Sequence, residues 1–192
     1  KRNGKEVQQL FAENRQLLDF LSKKTGDIIE PLNIWDIYQT LQIEFFDSLN
    51  KNPICGKIPD WLSPQILLEF EAVTSKFLDI VYYPSPNNGD KILSKLLGGP
   101  LLRVILDNMN FNASDPNRVK LYLFSGHDST IYHFLSALGI KREAYVQFLT
   151  TVIIELYQTI SGEMELDLYL YNSSGSPNKF IPLDFPKCPY PC

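Results

Sequence analysis

The chain has 192 residues, 44% hydrophobic and 21% charged, with a formal net charge of -4; this is the balance of a compact globular domain, or a domain with an added lobe, and not of a disordered chain. The acidic balance, with no Lys/Arg cluster longer than two or three residues, excludes nucleic acid as the partner, because binding a phosphate backbone needs a basic face. No apolar run approaches the roughly 20 residues that cross a bilayer, so no membrane span is expected in this chain.

The chain starts at Lys1-Arg2-Asn3-Gly4 with neither an initiator Met nor a signal peptide, and removal of an upstream segment by processing or truncation is expected. Val7, Leu10, Phe11, Leu17, Leu18 and Leu21 recur at helical spacing ahead of Gly26, which predicts an amphipathic helix closed by a left-handed cap. Ile34, Ile37, Tyr38, Leu41 and Phe45 predict a second helix after Pro31. Ser63-Pro64 combines an N-cap serine with proline at the first helical position and starts a third, carried by Ile66, Leu67, Phe70, Val73, Phe77, Leu78 and Val81 and closed by Pro84. A polar loop over 84–89 precedes a fourth apolar stripe, Ile92 to Ile105, in which Gly98-Gly99-Pro100 predicts a kink or break, since Pro100 lacks an N–H and its ring crowds the preceding turn. Asn108 to Asn117 reads as a loop, and divides a helical lobe with its return helix (1–108) from the remainder (109–192).

Beyond that boundary the period changes. Val119–Ser125 predicts a strand, Ser129–Leu138 a helix ended by Gly139, and Thr150–Tyr157 a β-branched strand. Met164–Tyr171 alternates Met164, Leu166, Leu168 and Leu170 with Glu165, Asp167, Tyr169 and Tyr171, and Ser161-Gly162 predicts a hairpin between these last two strands. The class is α/β: the tail of a sheet too small to stand alone, whose other strands are expected in the upstream segment.

Three cysteines leave one over. Cys188-Pro189-Tyr190-Pro191-Cys192 is too proline-rich for a redox-active helix start and lacks the further ligands of a zinc site, so its spacing predicts a structural disulfide between Cys188 and Cys192, with Cys55 left over, free or paired with a residue outside this chain. Asn112-Ala113-Ser114 and Asn172-Ser173-Ser174 are glycosylation acceptors at Asn112 and Asn172, in keeping with a secretory route.

The chemistry is expected where the strand 119–125 runs through Ser125-Gly126-His127-Asp128 into a helix. At the carboxyl end of a strand, His127 offers a cation for an anionic substrate and Asp128 an acid for a leaving group. The alternatives are a core histidine satisfied by backbone for His127, and a cap of the helix starting at Ser129 for Asp128. A capping carboxylate is compatible with the catalytic role, because free N–H groups and the positive end of the helix dipole would also favour a phosphate there. His133, inside the helix, reads as structural. A metal-binding His-Asp pair fails on counting, because the chain has only two histidines, both on this short stretch. No other segment offers an obvious nucleophile, so the pair is half of a site.

Ser-Gly-His-Asp-Ser-Thr after Leu-Tyr-Leu-Phe resembles the C-terminal His-Asp motif of the histidine acid phosphatases, a branch of the histidine phosphatase superfamily. Gly98-Gly99-Pro100-Leu101-Leu102 resembles that family's Gly-Gly helix, Glu155-Leu156-Tyr157 its Glu-Leu strand, and Cys188 to Cys192 its closing Cys-x-x-x-Cys loop. The resemblance covers essentially the whole chain and implies the C-terminal part of a histidine-phosphatase-like α/β domain with an inserted helical lobe. It implies hydrolysis of phosphomonoesters through a phosphohistidine, with no cofactor and no metal, in a secreted or lysosomal protein, and it allows a homodimer. By resemblance the nucleophile is the histidine of an Arg-His-Gly motif, His127 is a second histidine that binds phosphate, and Asp128 protonates the leaving alcohol and then activates water. No Arg-His-Gly occurs among these 192 residues: Arg2, Arg15, Arg103, Arg118 and Arg142 all lack a neighbouring histidine. Where the family bridges a cysteine near Cys55 to the strand before Glu-Leu, this chain has Thr150 and Thr151. The chain alone is therefore expected to be inactive, and the alternative is a non-catalytic truncated or diverged member acting as a secreted binding or structural protein. Inositol-phosphate phosphatases of the superfamily fit less well, because many carry His-Ala-Glu in place of His127-Asp128-Ser129.

Overall fold

The computed structural model describes residues 4–50, 53–83, 91–109, 118–141, 145–171 and 180–184, and the chain divides into two compact units, 1–81 and 82–192. The glycosylation triplets at Asn112 and Asn172 and the pair Cys188 and Cys192 lie outside the described residues.

The first unit is built from helices α1 (Lys5–Glu13), α2 (Arg15–Thr25), α3 (Ile34–Ser48) and α4 (Pro64–Tyr82), the last residue of which belongs to the second unit. The single helix expected over Val7–Leu21 is in fact two. Asn14 departs from helical geometry at φ -108° and ψ 18°, and its side-chain amide donates to the Leu10 carbonyl at 2.8 Å, competing with the backbone N–H for that acceptor. Gly26 takes the expected left-handed conformation, φ 85°, and its N–H closes α2 on the Ser22 carbonyl. Ser63 caps α4 by accepting from the Ile66 N–H, with Pro64 at the first helical position. The helical stripes meet in one core: Tyr38 and Phe70, neither exposed at all, cross edge to face with ring centroids 5.6 Å apart, and Phe11 meets Phe77 at 6.3 Å. The Tyr38 hydroxyl donates to Glu71 and accepts from Gln42, which satisfies its polar end inside that core.

The second unit contains α5 (Lys91–Met109), α6 (Asp128–Leu138) and an antiparallel sheet of β1 (Thr151–Gln158), β2 (Met164–Tyr171) and β3 (Phe180–Pro182) in that spatial order. The expected hairpin joins β1 to β2, its turn held by Gly162 at φ 89° and pairing Ile154 with Leu168 and Val152 with Leu170. Period 2 then puts Val152, Ile154, Leu166 and Leu168 on one face, packed with Phe134 and Leu135 of α6 and Leu101, Leu102 and Ile105 of α5. The short β3, which carries no alternation long enough to recognise in sequence, completes the sheet by pairing Leu170 with Ile181.

Two expectations fail in this unit. Of the kink or break expected at Gly98-Gly99-Pro100, the break is absent: α5 runs uninterrupted through Pro100. The carbonyl that loses its partner belongs to Leu96, a residue on the exposed side, where water can replace the missing N–H. Gly98 lies on the opposite side, against α6: a Cβ there would fall 2.7 Å from the Ala137 Cβ and closer still to the His133 carbonyl. The glycine is needed for helix approach, which is completed by a buried hydrogen bond between Ser94 and Ser136 at 2.7 Å. Ser136 in turn donates to the Tyr82 carbonyl, so its single proton is used there and Ser94 is the donor between the two serines.

The second failure is the strand over Val119–Ser125. These residues form no ladder, and Leu121 and Leu123 are 79% and 88% exposed. Apolar residues alternate on both faces of this segment, Val119, Leu121 and Leu123 on one and Tyr122 and Phe124 on the other, a pattern that needs strands on its edges and layers on both faces. No such neighbours exist among the described residues. What the structure holds is a mixture of helices with a small antiparallel sheet.

Candidate functional site

His127 is the last extended residue before α6, at φ -106° and ψ 169°, and its carbonyl accepts the first helical bonds from Thr130 and Ile131. His127 is therefore the N-cap, and Asp128 is the first helical residue; the expectation that Asp128 caps a helix starting at Ser129 is off by one position. The cause is the threonine three residues after His127, whose hydroxyl accepts the His127 N–H at 3.1 Å. Asp128, half-buried, turns its carboxylate onto the helix start and accepts the Ser129 N–H at 2.7 Å. An anionic carboxylate is stabilised there by the free N–H groups and the dipole of the first turn.

His127 is exposed in these 192 residues, as is all of 119–126 before it. The two side chains come from adjacent residues on one turn, one an exposed residue and the other a carboxylate bonded at the helix start. His133 lies five residues further on and serves a different purpose. Its ring meets Tyr82 edge to face with centroids 4.9 Å apart, its Nε2 is buried with no hydrogen-bond partner among the described residues, and burial pushes its pKa below the ordinary 6.5. A half-buried histidine packed against the Tyr82 ring is a packing element.

Arg15 and Arg103 each bond an aspartate four residues on, Asp19 and Asp107, on the outside of their helices. Arg2 and Arg142 lie outside the described residues. Glu155 sits on the exposed face of β1, opposite Asp167 of β2. Cys55 is free and exposed, and its N–H bonds the Asp47 carboxylate at 2.6 Å. That bond holds the Asp47 carboxyl below its usual range, while loss of solvent and the neighbouring carboxylate push the Cys55 thiol up, away from reactivity. Two residues that the sequence reading passed over, Gly126 and Thr130, shape the turn; the threonine three positions after the cap was their available signal.

A profile of the histidine phosphatase superfamily (branch 2) matches residues 4–176. Lysosomal acid phosphatase of Homo sapiens is 29% identical over 195 residues, covering all of this chain and 43% of the relative. Venom acid phosphatase Acph-1 of Apis mellifera is 29% identical, covering 95% of this chain and 44% of the relative. Prostatic acid phosphatase of Mus musculus is 25% identical over 93% of this chain. The chain thus spans less than half the length of the relatives it matches.

Proposed function

Because this chain belongs to branch 2 of the histidine phosphatase superfamily, we propose that it supplies the His-Asp half of an acid phosphatase site for phosphomonoesters, on the secretory or lysosomal route of its relatives. One observation carries the reading. The match runs through a turn that sets His127 and Asp128 side by side at the start of α6, on a segment whose two apolar faces call for further strands. Polypeptide outside these residues would furnish those strands and the Arg-His-Gly histidine, with residues 1–108 as the inserted helical lobe and its return helix.

In the completed site the phosphoryl group passes from the substrate oxygen to the imidazole nitrogen of the Arg-His-Gly histidine. The proton of Asp128 goes to the departing alcohol, leaving a carboxylate. That carboxylate then takes a proton from water, the water oxygen bonds to phosphorus, the P–N bond breaks, and Asp128 is protonated again. His127, as a cation, offsets the charge spread over the phosphoryl oxygens in both steps. On this reading the 192 residues alone are inactive, because they hold an acid and a cation but no attacking group. No helix among the described residues is long and apolar enough to cross a membrane.

The test is kcat/KM for an alkyl and an aryl phosphate, measured on the complete polypeptide that carries an Arg-His-Gly segment with this chain. Asp128→Asn should slow the alkyl ester far more than the aryl ester, since a good leaving group needs little protonation. His127→Ala should slow both, because it removes charge stabilisation from either transition state. Equal losses for both esters in Asp128→Asn would return Asp128 to a structural role. A coding sequence without any Arg-His-Gly would favour a non-catalytic member of the family, which the absence of that motif from these 192 residues keeps as the second reading.

A further inference from the structure

We infer that Thr130 is a positioning residue for the His127-Asp128 pair, an assignment that rests on the phosphatase reading above. Two hydrogen bonds join residues 127 and 130 across Asp128 and Ser129: the Thr130 hydroxyl accepts the His127 N–H at 3.1 Å, and the Thr130 N–H donates to the His127 carbonyl at 3.0 Å. The second is ordinary first-turn bonding. The first depends on the side chain alone. Thr130 also fills the space beside Gly126, where a Cβ would stand 3.0, 3.1 and 3.2 Å from its Oγ1, Cβ and Cγ2. One side chain therefore governs both residues that precede Asp128.

The Asp128 carboxylate, accepting the Ser129 N–H at 2.7 Å, is a second side-chain bond within the turn, C-terminal to His127. Among the described residues no backbone hydrogen bond ties 119–126 to another element, and this segment is exposed up to and including His127. The β-branched side chain has few rotamers in a helix, so the hydroxyl is already aimed when the turn forms. A displacement of about 1 Å in a catalytic group can cost on the order of 10²-fold in rate, so the hydroxyl that fixes the cap also fixes how His127 and Asp128 face a phosphoryl group.

Two measurements test this. In the 192-residue chain, amide hydrogen exchange at His127 should speed up about tenfold in Thr130→Val, which keeps the shape and removes the acceptor, and should stay near wild type in Thr130→Ser. Exchange at Phe134 and Leu135 reports whether α6 remains folded. In the complete phosphatase, Thr130→Val should lower kcat by roughly 10- to 100-fold for alkyl and aryl phosphates at nearly constant KM, with Thr130→Ser restoring most of it. Gly126→Ala should lower kcat similarly with the hydroxyl intact. Unchanged His127 exchange in Thr130→Val would overturn the contact. Faster exchange with unchanged kcat would overturn the positioning role and leave a helix cap. No turnover by the wild-type complete protein would overturn the phosphatase reading itself, and the exchange data would still tell that failure apart from a wrong contact.

Discussion

Among the described residues, which are nearly equal in number in the two units, fifteen apolar side chains are buried in the first unit and seven in the second, whereas seven large ones are exposed in the first and sixteen in the second. Both units are written with the same kinds of residue, so hydrophobicity alone does not separate them. The difference is the range of the contacts each pattern requires. In the first unit every stripe is helical, and helices contributed by nearby sequence bury one another. The second unit contains a segment, 119–124, whose apolar residues face both ways, and only a wider sheet can bury them.

The largest expected effect is in amide exchange across the intact chain. Amides of Phe70, Phe77 and Leu78, buried inside α4, should exchange roughly 10³-fold or more slowly than those of Leu121 and Leu123, which bond to no strand among the described residues. Comparable rates in the two segments would erase the contrast. Side-chain truncation should follow the same division. Phe70→Ala removes a ring with no exposure and should cost about 3–5 kcal/mol in chemical denaturation of the first unit, whereas Leu123→Ser should change stability by no more than about 0.5 kcal/mol and reduce aggregation, which sedimentation would detect. A large loss in Leu123→Ser would mean that 119–124 is packed in solution.

A smaller effect is expected where the second unit is well packed. Alanine is the better helix former by about 1 kcal/mol, yet Gly98→Ala would drive a methyl into the His133 carbonyl and the Ala137 side chain, for a net loss of about 1–3 kcal/mol. A stabilised variant, read from the thermal midpoint, would show that α5 and α6 do not approach this closely. The smallest effect is with pH. Burial lowers the His133 pKa in the folded chain, so the unfolded chain takes up the proton first as the pH falls through 6.5. The contribution of neutral His133 is then fully present above 6.5 and lost progressively below it. The thermal midpoint should fall between pH 7 and pH 5, and His133→Phe, which keeps a ring against Tyr82, should flatten that slope. An unchanged slope would place the titrating group elsewhere.

The sequence by itself determined the helical stripes, the left-handed cap at Gly26, the Ser63-Pro64 helix start, the β1–β2 hairpin and the position of His127 and Asp128 at the entrance to α6. Each of these depends on residues a few positions apart, so spacing and local hydrogen bonding are enough to reveal it. Other features were decided only by what packs against what. Whether Pro100 breaks a helix depends on which side of α5 its orphaned carbonyl faces, and the purpose of Gly98 depends on His133 and Ala137 of α6. Whether 119–125 becomes a strand depends on neighbours that no pattern within the segment can supply. The same holds inside the candidate site. The identities of His127 and Asp128 are legible, but their division into cap and first helical residue, and their dependence on Thr130, follow from a side-chain bond across one helical turn that residue types alone do not specify.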